Sequence, residues 1–452
     1  MNFRLVLSIL LAASTAIAVS QQAFLGTWKS KLTMGNASLN LALNFKYDTY
    51  NNIICTLDSP DQGAKDIPSD VRFPQPDSVC INLPLLNASF NGKLTDNQLK
   101  TTFTQGTFST ELTFTPGQVE YVRPQTPTAP FPYKTEEVTF SHDKATLSGT
   151  LTYPTKYKKG KTPVVLMVSG SGLQNRDEEI MGHKPFLVIA DYLARNGIAT
   201  LRYDDRGFGK STGDPSKATT ADFYEDAAAG IRFLQDKKSF KSIGLLGHSE
   251  GGQIAFLAAS RLPETVSFII SMAGPAIPGN EILIKQNHQL LSGQGLPVNL
   301  VDEYCTVLRK VFECKMTKGL PASVATAQGY IAINSSHLPE AAKENLRTVL
   351  STDDPWIDHF ITCDPTSDIR NIQCPVMAVN GSLDCQVDAE SNLEALRKNL
   401  PDNKLNSIQE YEGLNHLFQH CTTGSVSEYS TIEETISPEV LSDIVEWINR
   451  LQ

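Results

Sequence analysis

The chain has 452 residues, 40% of them hydrophobic and 19% charged, which is enough apolar material for more than one globular core. Its 49 acidic residues outnumber 39 basic ones and leave a net charge of −10. Phosphate binding needs a basic face, so the balance argues against nucleic acid as a partner and speaks for solubility.

The first residues follow the pattern of a secretory signal peptide over residues 1–18. Arg4 supplies the positive start, Leu5 to Ala13 the apolar core, and Ala16-Ile17-Ala18 a small-residue cleavage site. Cleavage would leave a chain beginning near Val19, secreted or periplasmic. The apolar run is too short for a membrane span and no other stretch is long enough. No cysteine follows it, which argues against a lipid anchor. In an exported chain the eight cysteines point to disulfides, and Cys55 and Cys80, the only two before residue 300, are a natural pair. Cys305 and Cys314 stand in a helical pattern, where about 100° per residue turns them to opposite sides. With no Cys-x-x-Cys and no close His–Cys cluster, no metal is expected. Asn36, Asn87, Asn334 and Asn380 each begin an Asn-x-Ser glycosylation signal.

Residues 19–120 alternate polar and apolar residues in short runs (SLNLALNFKY, TTFTQGTF, STELTFT) between Gly, Asn, Asp and Pro turn signals. They are expected to form a small antiparallel all-β domain. Gly26-Thr27-Trp28 at its first strand is similar to the opening of lipocalin-like barrels, and Trp28 reads as core. Residues 121–134 carry Pro124, Pro127, Pro130 and Pro132 and read as a semi-rigid linker.

From residue 135 to 452 the pattern becomes α/β. A hairpin (EEVTF, ATLSGTLTY) precedes the buried runs VVLMV, ATLRY, IGLL, FIISM, VMAV and SIQEY, most of them separated by helical stretches. That makes eight strands in a mostly parallel sheet covered on both faces. About a hundred residues, roughly 275–373, interrupt the alternation with helical patterns. Placed over the C-terminal edge of the sheet, they would form a lid.

Gly247-His248-Ser249-Glu250-Gly251 lies between the strand IGLL and the helix GQIAFLAA. That strand–turn–helix context is the one a nucleophile elbow requires, with the helix N-terminus favouring negative charge beside Ser249. A serine needs a base, and the base an orienting acid. Asp384 follows the strand VMAV and His416 follows SIQEY, so the order is Ser, Asp, His. Asp388 and His420 compete for these roles, but Asp388 reads as a helix cap and His420 lies further from its strand. His183, His288, His337 and His359 read as lid, loop or surface residues. Two amides must hold an oxyanion: Glu250, next to the nucleophile, and Ser171, in the loop Ser169-Gly170-Ser171-Gly172 after VVLMV. Arg202 to Ser211 (RYDDRGFGKS) lacks the spacing of a phosphate loop and reads as an ion-pair loop.

At these residues the chain resembles the α/β-hydrolase superfamily. More narrowly, SGSGLQNRDE, RYDDRGFGKS, GHSEGG, NGSLDCQVD and LNHLFQ together resemble exported bacterial-type esterases with an N-terminal β domain. Ser169 departs from the histidine that many hydrolases carry before the oxyanion glycine. The resemblance implies a serine esterase acting on small, short-chain acyl esters through an acyl-enzyme, with no cofactor. A serine peptidase of aminopeptidase type and an acyl-transfer enzyme use the same triad and stay open. The β domain binds carbohydrate or lipid, or only packs. A disulfide between Cys385 and Cys421 would brace the acid loop against the base loop.

Overall fold

The computed structural model describes residues 21–451 except 35, 36, 63, 120 and 318–320. The signal-peptide stretch and Asn36 lie outside the described residues. The chain divides into two compact units, the first running to Val122 with Ile180–Gly182, the second comprising the remainder.

The first unit is a nine-stranded sheet whose nearest neighbours run antiparallel. Its first strand, Gly26–Met34, lies between the second, Ala37–Tyr47, and the ninth, Phe108–Pro116. The two edges, Ala64–Pro68 and Asp70–Gln75, are consecutive in the chain and separated by Ser69 alone, so the sheet curls back upon itself. Phe24, Leu43, Phe90, Leu99 and Phe114 are completely buried and fill its interior. Trp28 joins them, its indole N–H donating to the Phe24 carbonyl at 2.6 Å, which gives a buried ring the polar partner it needs.

The second unit is built on an eight-stranded mixed sheet: β1 (Lys134–His142), β2 (Ala145–Tyr153), β3 (Val164–Val168), β4 (Ala199–Tyr203), β5 (Ile243–His248), β6 (Val266–Met272), β7 (Val376–Gly381) and β8 (Ser407–Tyr411). Their spatial order is β1-β2-β4-β3-β5-β6-β7-β8. The β1/β2 and β2/β4 pairs are antiparallel and the others parallel. Every residue of β3, β4 and β5 is buried, which is why these segments read as unbroken apolar runs. The pleat sends their side chains alternately to two layers. Val164, Leu166 and Val168 pack with residues of α2 (Thr220–Lys237) and α3 (Glu250–Arg261). Val165 and Met167 pack with α1 (Pro185–Arg195) and α11 (Pro438–Arg450).

The proline-rich stretch is less free than a spacer. Arg123 donates to the carbonyls of Ile432 and Ser430, and Gln125 to that of Ile436, so its polar groups tie it to the second unit. Between β6 and β7 the chain forms α4 (Gly279–Gly293), α5 (Val298–Met316), α6 (Ala322–Ser335), α7 (Glu340–Ser351), α8 (Pro355–Phe360) and α9 (Thr366–Arg370). Ile284, Val301, Leu308, Val311, Ile333 and Leu346 give this insertion a core separate from the sheet's two layers.

A separate core makes the insertion a separate unit of stability. Leu308→Ala should cost about 2–5 kcal/mol, the usual range for emptying a buried leucine site. The loss should register as faster amide hydrogen exchange in α5, α6 and α7 while β3, β5 and β6 keep their protection.

Candidate active site

Ser249 stands between β5 and α3 with φ 54° and ψ −123°, a conformation rarely adopted by a residue with a side chain. Its amide donates to Met272 O at the end of β6, 2.9 Å away, and its carbonyl accepts from Gly252 N at 2.8 Å. The flanking positions admit only glycine. A Cβ on Gly247 would stand 1.9 Å from Gly251 O, and one on Gly251 would stand 2.0 Å from Val168 O. Glu250 opens α3, so its N–H has no acceptor within the helix and is free for a ligand.

Asp384 and His416 meet across the C-terminal ends of β7 and β8. His416 Nδ1 lies 2.7 Å from Asp384 Oδ2, with both side chains nearly inaccessible to solvent. The carboxylate is held from several sides. Oδ1 accepts the amides of Gln386 and Val387 at 2.8 and 2.9 Å, while Oδ2 accepts from Asn380 Nδ2 at 3.2 Å. The His416 loop is shaped by the fully buried Asn415, whose Oδ1 accepts from Leu417 N and Gln419 N at 3.0 Å each. His416 lies beside the elbow, its ring centroid 4.7 Å from that of His248, the residue before Ser249.

The glycine-rich loop after β3 completes the group. Gly170 faces Ser249 so closely that a Cβ there would stand 3.0 Å from Ser249 Cβ. Three buried carboxylates lie against this loop. Ser169 Oγ donates to Asp205 at 3.0 Å. Gly170 N donates to Glu178 Oε1 at 2.9 Å. The Ser171 side chain lies close enough to the Glu250 carboxylate to favour its charged form. The Ser171 amide has no protein acceptor among the described residues and remains open as an oxyanion donor. Burial pushes the Asp205 carboxyl up to about 8, with the charges of Glu178 and Glu250 adding to the effect. Burial likewise raises Glu250 above the usual carboxylate range.

Sequence reasoning missed three contributions. Glu250 offers more than its amide: its side chain accepts from Thr220 Oγ1 at 2.6 Å and from Trp356 Nε1 at 2.9 Å, linking the elbow to α8 of the insertion. Asn380 is buried and donates to Asp384, so its glycosylation signal is sterically closed. His248 is the third, with Nδ1 on Glu178 and Nε2 on the His416 carbonyl. Its position before a G-x-S-x-G serine is the only sequence signal it had. Among the competitors, Asp388 caps α10 (Ala389–Asn399) through Ser391 N, and His420 is exposed and pairs with Glu434. His183 lies in a loop, as read, and is fully buried there. It contacts Tyr429 O and Thr435 Oγ1, and burial lowers it to about 4.

All eight cysteines are free thiols, which corrects the expected disulfides. Cys55 points into the core of the first unit, whereas Cys80 alternates with the buried Val79 and Ile81 and so faces the other side of its strand. Cys385 Sγ is turned to Gly424 O at 3.1 Å and Cys421 Sγ to Gly413 O at 3.5 Å. In the loop Arg202–Ser211, Asp204 pairs with Arg176 at 2.9 Å and Arg206 with Asp226 at 2.7 Å, as an ion-pair loop would. No cluster able to hold a metal ion, and no helix long and apolar enough to cross a membrane, occurs among the described residues.

The strand order and the strand–turn–helix elbow give the second unit the architecture of the α/β-hydrolase fold. Residues 184–303 match a family described as serine aminopeptidase, S33. Esterase EstD of Thermotoga maritima is 26% identical over 302 residues, 67% of this chain and 65% of that protein. A palmitoyl-protein thioesterase, ABHD10 of Rattus norvegicus, is 28% identical over 187 residues, 41% of this chain and 53% of that one. The chain thus spans less than two thirds of the length of these relatives. Among solved structures, the Pyrococcus furiosus esterase PF2001 aligns with TM-score 0.42 at 16% identity, over 74% of this chain and 99% of its own. A proline iminopeptidase of Mycobacterium smegmatis aligns with TM-score 0.42 at 15% identity, over 70% and 98%.

Asp205 makes a pH-dependent contribution whose sign is fixed. Its folded value of about 8 exceeds the 3.8 of a free aspartate, so the folded chain holds a proton that the unfolded chain releases. The stabilisation is complete below pH 3.8 and declines as pH rises to about 8. The slope is at most about 1.4 kcal/mol per pH unit. Asp205→Asn should flatten this decline in urea-unfolding free energies measured across that window. An unchanged slope would place the proton elsewhere.

Proposed function

We propose that the chain is a serine esterase that cleaves small carboxylic esters through an acyl-enzyme. Ser249 attacks the carbonyl carbon. His416 takes the serine proton at Nε2, passes it to the leaving alcohol, and then activates water to release the acid. Asp384 holds the ring through Nδ1 and stabilises its charged form, and the Glu250 and Ser171 amides receive the oxyanion. The observation that carries the reading is the buried 2.7 Å contact between Asp384 and His416 beside the strained Ser249 elbow. Preference for esters is supported by the relative named an esterase. Short acyl chains rest on the family resemblance.

A peptidase of aminopeptidase type is the second reading, favoured by the description of the matching family. It would need insertion carboxylates available for a free α-amine. Glu281, Asp302 and Asp358 instead each lie within salt-bridge distance of a basic side chain, Arg309, His288 and Lys315, which weighs towards the esterase. Acyl transfer would use the same acyl-enzyme with another acceptor. The insertion serves as a lid in this reading, and the Trp356–Glu250 contact is its anchor at the elbow. Export through the N-terminal signal to the periplasm or medium belongs to the same proposal. For the first unit, an interior filled by aromatic side chains supports a structural role over lipid binding inside it.

Ser249→Ala should lower turnover by about 10⁴-fold or more while leaving the melting curve intact. Purified protein assayed on nitrophenyl esters of increasing chain length should turn over the short ones best and far outpace aminoacyl anilides. Anilide turnover exceeding ester turnover would favour the peptidase.

A further inference from the structure

We propose that His248 and Glu178 form a second histidine–carboxylate pair that positions the oxyanion loop and the general base about the nucleophile. The inference rests on the serine-hydrolase reading above and adds two residues to it. His248 Nε2 lies 2.9 Å from the His416 carbonyl oxygen. A carbonyl can only accept, so Nε2 carries a hydrogen. His248 Nδ1 lies 2.9 Å from Glu178 Oε1, and the same oxygen accepts the Gly170 amide at 2.9 Å. One continuous chain therefore runs from the oxyanion loop through Glu178 and His248 to the backbone of the base. Its central member is bonded covalently to Ser249.

Burial makes the chain exacting. Glu178, His248 and His416 are 4%, 7% and 4% exposed, so water cannot substitute for a lost partner. The contact between Nδ1 and Oε1 is satisfied only with one proton between them. Burial opposes a charged imidazole, but the Glu178 carboxylate and the His416 carbonyl outweigh it and hold His248 above its ordinary value. A glutamine at 178 could accept from Gly170, but it would leave Nδ1 either unbonded or part of an uncompensated buried cation. Glu178 also occupies the Gly170 amide, which takes it out of the set of donors open to an oxyanion, whereas the Ser171 amide stays in it. Neither His248 nor Glu178 touches a reacting atom in this scheme. Both are positioning residues, and displacements of about 1 Å in such groups can cost about 10²-fold in rate.

The two arms can be cut separately. His248→Asn keeps a donor near the Nδ1 position and loses the His416 arm. His248→Gln keeps a donor near the Nε2 position and loses the Glu178 arm. Each should lower kcat on a nitrophenyl ester by about 10–10²-fold while KM changes by less than about threefold. Glu178→Gln should do the same. The double variant His248→Gln/Glu178→Gln should cost little more than the worse single one, because both cut one arm of one network. Glu178→Asp, which keeps the charge and shortens its reach, gives the same readout if a histidine variant melts below the assay temperature. Unchanged kcat in folded variants, or losses that simply add, would overturn the positioning role. Ser249→Ala run alongside keeps the two questions apart. If it retains turnover, the nucleophile itself is wrong. If it is dead while the His248 variants are normal, only the positioning pair fails.

Discussion

The second unit is arranged around one backbone constraint, the turn that carries Ser249 at φ 54°. Holding a side-chain-bearing residue there costs on the order of 1–3 kcal/mol, so the surroundings must leave the chain no alternative. They do so by crowding. Gly247 and Gly251 are pressed against backbone oxygens of the turn and of β3, and the Ser249 amide is tied to the end of β6. β5 is flanked by β3, buried throughout, and by β6, buried at all positions but Ser267, which hems in the turn from both sides. The serine is thereby lifted above the sheet edge, where the loops after β3, β7 and β8 converge.

A second constraint is how buried charge is distributed around that serine. Asp205 and Glu178 hold Ser169 and Gly170 by hydrogen bonds, and Glu250 lies next to Ser171. Burial raises Asp205 to about 8 and lifts Glu250 above the usual carboxylate range. The loop is held by side chains from two different parts of the chain. Ser169 illustrates the consequence: where the resemblance led one to expect a histidine, a hydroxyl donates to Asp205 and fixes the loop's first residue. Glu250 reaches outward to Trp356, so the insertion is joined to the elbow by a hydrogen bond as well as by packing.

The Ser249 elbow was legible because its requirements are local: small flanking residues, an apolar run before, a helical pattern after. Asp384 and His416 were legible because strand ends are marked by the strands themselves, and the structure brings their side chains to 2.7 Å. The number of the sheet's strands and the helical character of the insertion were legible from apolar periodicity, whereas the spatial order of the strands was not. What else the sequence did not show has a shared reason. The unpaired state of Cys55 and Cys80, the burial of Asn380 and His183 and the side-chain contacts of Glu250 all depend on which way a side chain faces. Spacing along the chain does not record that.

By itself the sequence determined the α/β character of the second unit, its strand and helix periods, the glycines its turn cannot do without, and the loops in which Ser249, Asp384 and His416 stand. Each follows from the chemistry of neighbouring residues, which a linear pattern preserves. Only the tertiary structure decided that His248 joins Glu178 to the His416 carbonyl, that Asn380 steadies Asp384, and that Glu250 reaches Trp356. These contacts link residues from different loops and helices across a buried interior. What selects them is the need of each desolvated polar atom for a partner, and that need exists only once the chain has folded.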